Sequence, residues 1–207
     1  MYERILRIQP LEFKGERLDE VGKRIVAIFH PLFTGYSIND KLQLSDTEAG
    51  LITERNSAHE TIVYSPSLPK LFLDYIKPLL VITSLGVINN NRTSVYGGSD
   101  KFYEVDFISA YKSYGVLNSD HSIDAIVSVA IHELGHRFGL EHHKWIGRYT
   151  SKQKYCPMTT EHIWDKAEGR ITSSEYLSLQ DSASFCRGCT KKVERLKKEI
   201  RRHNVLV

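Results

Sequence analysis

Four histidines and two glutamates fall within the twelve residues HELGHRFGLEHH, His132 through His143, and no other stretch limits so sharply what the chain can become. On a helix, His132 and His136 stand four apart, so both imidazoles leave one face a turn apart and can reach one ion. Glu133 follows the first ligand, which puts its carboxylate beside the metal without binding it, where it can take a proton from water as general base. Gly139 comes three residues after His136 and can adopt the left-handed conformation that ends a helix. The chain then turns back and brings His142 to the ion as third ligand. His143 competes for that place, and the spacing selects His142. Three neutral imidazoles with an open fourth position describe a catalytic zinc site rather than a closed structural one. A solvated, histidine-rich helix would satisfy H-E-x-x-H alone, but the longer H-E-x-x-H-x-x-G-x-x-H is too specific for that reading.

The upstream sequence supports the helix that this geometry needs. In residues 121–138, HSIDAIVSVAIHELGHRF, the line Ile123, Val127, Ile131 is widened by Ile126, Ala130 and Leu134 into a broad buried face. Ser122 is placed to cap it and Asp124 lies in its first turn. Residues 4–9 read as a short strand, and residues 16–30 as a helix with Leu18, Val21, Ile25 and Phe29 on one face. A helix is expected within residues 66–77, then a buried strand in LLVITSL. Two β-like runs follow, RTSVYGGSD and EVDFISAY, the paired glycines of the first marking a turn or bulge. The fold class is α+β, a mixed twisted sheet with packed helices. One domain of 207 residues is expected, with a larger lobe over residues 1–139 and a smaller one over 140–207.

Composition excludes several alternatives. Hydrophobic residues at 41% and charged residues at 26% are globular values, so the chain is not a disordered one. A net charge of +3 gives no reason to expect nucleic acid or membrane partners. The most apolar run, LLVITSLGVI, is too short to span a bilayer. The first ten residues lack the pattern of a secretory signal, and a cytoplasmic location is the expectation. Cys156, Cys186 and Cys189 are an odd number, which argues against a disulfide framework. The C-terminal run TKKVERLKKEIRRH reads as a helix with Val193, Leu196 and Ile200 inward and a solvated basic face.

The long histidine motif resembles that of the metzincins, zinc peptidases in which it is followed by a methionine turn beneath the metal. Met158, in YCPMTT, fits that turn. The cysteines narrow the resemblance to the archaemetzincins: CPM (Cys156 to Met158) and CRGC (Cys186 to Cys189) match two of that family's elements. Two features depart from it. His143 stands where the family has cysteine, and the spacers to Cys156 and from Met158 to Cys186 are longer than usual. The resemblance implies a second, structural zinc on His143, Cys156, Cys186 and Cys189, with His162 as the alternative fourth ligand and three reduced, metal-free cysteines as the other possibility. It also implies that LLVITSLGVI holds the central strand, that Ser94, Val95, Tyr96 and Gly97 form a rim strand pairing with an extended substrate, and that VDFISAYKSY precedes the active-site helix.

The function these residues imply is hydrolysis of peptide bonds by a zinc metallopeptidase of metzincin type. Zinc would sit on His132, His136 and His142, with Glu133 as base and Met158 below the metal. The alternative is a zinc-binding peptide-recognition or regulatory protein of the same fold with little turnover, against which the intact Glu133 counts. A module acting through the basic C-terminal helix is a third reading, distinguished by salt-dependent nucleic-acid binding. No tyrosine lies just after Met158 to stabilise an oxyanion, and no cysteine before residue 132 offers a latency switch.

Overall fold

Strands LLVIT and VDFIS are buried along their whole length, as expected of strands covered on both faces. The computed structural model describes residues 4–13, 17–55, 61–64, 66–89, 94–95, 97–110, 122–143, 156–158 and 185–204. Five strands form one sheet in the order β2 (Gly35–Ile38), β1 (Ile5–Leu11), β5 (Leu79–Thr83), β9 (Val105–Ser109), β8 (Gly97–Asp100). The first four are parallel, and β8 runs antiparallel to β9 at the edge. LLVIT thus occupies the central position assigned to it. A second sheet joins β3 (Thr53–Arg55), β4 (Thr61–Tyr64), β6 (Gly86–Ile88) and β7 (Ser94–Val95).

The two-residue period of the strands divides the core into two layers. Leu6, Ile8, Leu80, Ile82 and Ile108 face one way, against α1 (Leu18–Phe29), α3 (Ser122–Arg137) and α4 (Arg187–Asn204). Leu79, Val81, Val105 and Phe107 face the other, against Leu68 and Phe72. The short α2 (Asp46–Ile52) starts with a capping box between Ser45 and Glu48. Leu18, Val21, Ile25 and Phe29 are all buried, as are the six apolar residues named on α3. Phe29 packs tilted against Phe138 at 5.2 Å and edge-to-face with Phe185 at 5.8 Å between ring centroids, so the ends of α1 and α3 and the approach to α4 meet in one cluster. Val193, Cys189, Met158 and Cys156 join that same core. Among the described residues no helix is long and apolar enough to cross a membrane.

Three expectations change. Within 66–77 the helix is only a 3-10 turn, Leu68–Phe72, with Pro69 in its first positions, where a proline is tolerated, and Pro78 setting a limit downstream. The run RTSVYGGSD does not make one strand: Ser94–Val95 pair with β6, whereas Gly97–Asp100 pair with β9 in the other sheet. Its glycines lie within β8, where they permit close approach rather than a turn. The last helix begins at Arg187, three residues before the run TKKVERLKKEIRRH that reads as helical.

Candidate metal centre

Helix α3 carries His132 and His136 on one face, and its end is built to return the chain. Gly139 has φ +77°, its N–H bonds to His136 O, and the Leu140 N–H bonds to Gly135 O. These are the paired bonds of a Schellman ending, which glycine's freedom permits. The following residues bring His142 back. The three Nε2 atoms converge, with His136 to His142 at 2.9 Å and His132 at 3.1 Å from each of the others.

The tautomers decide what this triangle means. His132 Nδ1 lies 2.6 Å from Pro157 O and His136 Nδ1 lies 3.0 Å from Leu140 O. Carbonyl oxygens only accept, so both Nδ1 atoms carry the proton and both Nε2 atoms of the neutral rings present bare lone pairs. Lone pairs facing one another at 3.1 Å repel unless a cation lies between them. Three nitrogens at about 2.0–2.1 Å from a tetrahedral zinc stand about 3.3 Å apart, close to the triangle seen. The residues therefore fit the ion. Burial, together with the neighbouring rings of His136 and His142, pulls His132 down to about 4, so it is neutral at pH 7 and able to ligate. Burial also lowers His142, whose ring forms the exposed side of the site.

Glu133 is 7% exposed, and its side chain lies against Gly97, the first residue of β8. A Cβ on Gly97 would lie 2.8 Å from Glu133 Oε1 and 2.8 Å from Phe107 O, so only glycine lets the edge strand lie this close. Burial raises the Glu133 carboxyl to about 8, with the charge of Asp106 adding to it. An ion in the triad acts in the opposite direction. One turn further along α3, Arg137 Nε bonds Asp106 Oδ2 at 2.6 Å, with Asp106 fully buried and the Arg137 side chain 9% exposed. This pair pins the end of α3 to β9.

A second group lies next to the first. His143, Cys156, Cys186 and Cys189 each offer a ligand atom, all within 4.8 Å of one another. His143 Nε2 is 3.3 Å from Cys156 Sγ and 3.5 Å from Cys186 Sγ. None of the cysteines is in a disulfide. Three thiols and an imidazole converging on one point are the donor set of a closed Cys₃His zinc site. Met158 is fully buried beneath the helix, its Sδ lying 2.7 Å from where a Cβ on Gly135 would stand, so a larger residue at 135 would have to push the Met158 side chain aside.

The structure thus brings the imidazoles of His132, His136 and His142 together in one place and His143 with the three cysteines in another; Met158 lies against Gly135 of the same helix, and Glu133, next to His132 in sequence, packs against Gly97 of β8. Of the residues expected in the rim strand, Gly97 lies beside Glu133, Ser94 and Val95 belong to β7, and Tyr96 lies outside the described residues. So does His162. Sequence reasoning passed over Asp106 and Arg137, although an aspartate inside the apolar run VDFIS signals a buried partner. Pro157 and Leu140 act through backbone carbonyls, which no side-chain pattern reveals.

No family model and no curated protein matches the chain. Solved structures do. The archaemetzincin of Methanopyrus kandleri aligns with a TM-score of 0.61 at 18% identity, over 93% of this chain and 94% of that one. The archaemetzincin of Archaeoglobus fulgidus, crystallised with malonate, gives 0.58 at 17% over 91% and 99%. A zinc-dependent peptidase from Methanocorpusculum labreanum gives 0.62 at 16% over 91% and 99%. With likenesses that span nearly the whole of both chains, this protein has the archaemetzincin fold.

Proposed function

We propose that the protein is a zinc-dependent metallopeptidase. The observation that carries this reading is the convergence of three imidazole lone pairs on one point, with a buried glutamate next to the first of them in sequence and packed against the edge strand β8. The names of the structural neighbours, archaemetzincins and a zinc-dependent peptidase, support it. His132, His136 and His142 would hold a zinc ion, whose Lewis acidity would polarise a carbonyl and acidify a water. Pro157 O and Leu140 O hold two of the rings in the ligating tautomer. Glu133 accepts a proton from the attacking water and passes it to the departing amine. Its burial keeps that proton in a poorly solvated pocket, where the carboxylate is a stronger base than in water.

β8 ends the five-stranded sheet, so its outer edge has no strand partner among the described residues. An extended peptide pairing with Gly97–Asp100 would run beside the strand that packs on Glu133, a case of strand addition. His143, Cys156, Cys186 and Cys189 would hold a second, structural zinc, and Met158 would supply the methionine turn.

The test is digestion of an unbiased peptide library by the zinc-loaded protein and by Glu133→Ala at equal zinc content, reading new termini by mass spectrometry. The proposal expects cleavage by the first and at least a hundredfold less by the second. Equal cleavage, or none by either, would leave a zinc-binding protein without this activity.

A further inference from the structure

The two groups of ligands are joined at two places. His142 belongs to the triad and His143, its neighbour in sequence, to the thiol group. Cys156 belongs to the thiol group, and the next residue, Pro157, accepts the His132 Nδ1–H bond at 2.6 Å. A backbone bond from His143 N to Met158 O, 3.1 Å, clamps these two segments together, and the Met158 side chain lies against Gly135 between the first two triad histidines. Cys186 and Cys189 come from the start of α4 and close the group from a third direction.

This arrangement has a consequence for the triad. The position of Pro157 O depends on the residue before it, and Cys156 is fixed only as firmly as the group it belongs to. A carbonyl acceptor on the outer nitrogen of a metal-bound histidine sets ring orientation and basicity, and its loss costs about 10–100-fold in metal affinity. We propose that occupation of the His143, Cys156, Cys186 and Cys189 group sets the affinity of the His132, His136 and His142 triad for its ion, with Pro157 O as the positioning group between them. The inference rests on the reading that both groups bind zinc. Coupling of this kind is reciprocal, so filling the triad tightens the thiol group by the same factor.

Cobalt(II) is the probe, because thiolate ligation gives it intense near-ultraviolet bands that a histidine triad lacks. Full-length apoprotein is titrated with cobalt, and zinc affinity at each group is measured by chelator competition. Cys189→Ser should abolish the thiolate bands and weaken the triad about 10–100-fold. His143→Cys, which replaces one ligand by another, should keep the triad within about threefold of the parent. In the reverse direction, His136→Ala should weaken cobalt binding at the thiol group by the same 10–100-fold, a readout that holds even if Cys189→Ser does not fold. Triad affinity unchanged in folded Cys189→Ser, or thiol-group affinity unchanged in His136→Ala, overturns the coupling and leaves the peptidase reading standing. A wild-type protein that binds only one equivalent of metal, at the thiol group, overturns both.

Discussion

Asp106 and Arg137 show how much a single side chain can cost when its partner is removed. Taking two charges out of water is unfavourable, and the pair persists because each compensates the other at 2.6 Å. Arg137→Met should destabilise the protein by about 3–5 kcal/mol, since it leaves a buried carboxylate unpaired, whereas the double substitution with Asp106→Asn should recover most of the loss. Urea denaturation of the three variants measures both, and additive losses would show that the pair is not coupled. Glu133 supplies a second test at this scale. In the metal-free protein its carboxyl, raised to about 8 by burial from an ordinary 4.5, favours folding while protonated. That contribution is full below about pH 4.5 and fades as pH rises toward 8. His132, lowered to about 4 by burial, works the other way only between about 4 and 6.5. Between pH 6.5 and 8 the Glu133 contribution is therefore isolated from that of His132, and metal-free Glu133→Gln should lose a slope of about 2 kcal/mol across that window. A slope unchanged by the substitution would contradict the buried placement of Glu133.

At the scale of elements, α3 and its ending were legible because their signals are local. The apolar period of residues 123–134 and a glycine three residues past His136 specify a helix, its buried face and its stop without reference to the rest of the chain. Gly139→Ala would force a Cβ residue into φ +77°, costing about 1–2 kcal/mol, and would redirect His142. Thermal denaturation and zinc competition should show both effects together. The edge strand was less legible. Whether Ser94–Gly97 continues into Asp100 depends on which of two sheets each residue joins, and that is decided by partners far away in sequence. The Gly97–Gly98 pair, which resembles a turn signal, is explained only by the closeness of Glu133 and Phe107. Gly97→Ala should leave zinc content unchanged and lower kcat/KM about 10–100-fold, because the clash includes the Phe107 backbone and the strand must shift over Glu133. Equal kcat/KM with equal zinc would separate β8 from catalysis.

For the whole molecule, the ligand set was readable but its context was not. H-E-x-x-H-x-x-G-x-x-H marks three imidazoles and a neighbouring glutamate, because metal coordination demands particular residue types at particular intervals, and the resemblance to the archaemetzincins supplied the second group. What the intervals leave out is the backbone carbonyls that orient those rings and the shared core that binds α4 to α1 and α3. The central claim is that the three converging imidazoles hold an ion. Anomalous diffraction at the zinc edge from crystals of the zinc-loaded protein tests it most directly. The account requires one peak at about 2.0–2.1 Å from the Nε2 atoms of His132, His136 and His142, and a second within about 2.3 Å of the sulfurs of Cys156, Cys186 and Cys189. A map with no peak at the triad in crystals grown with excess zinc would contradict it.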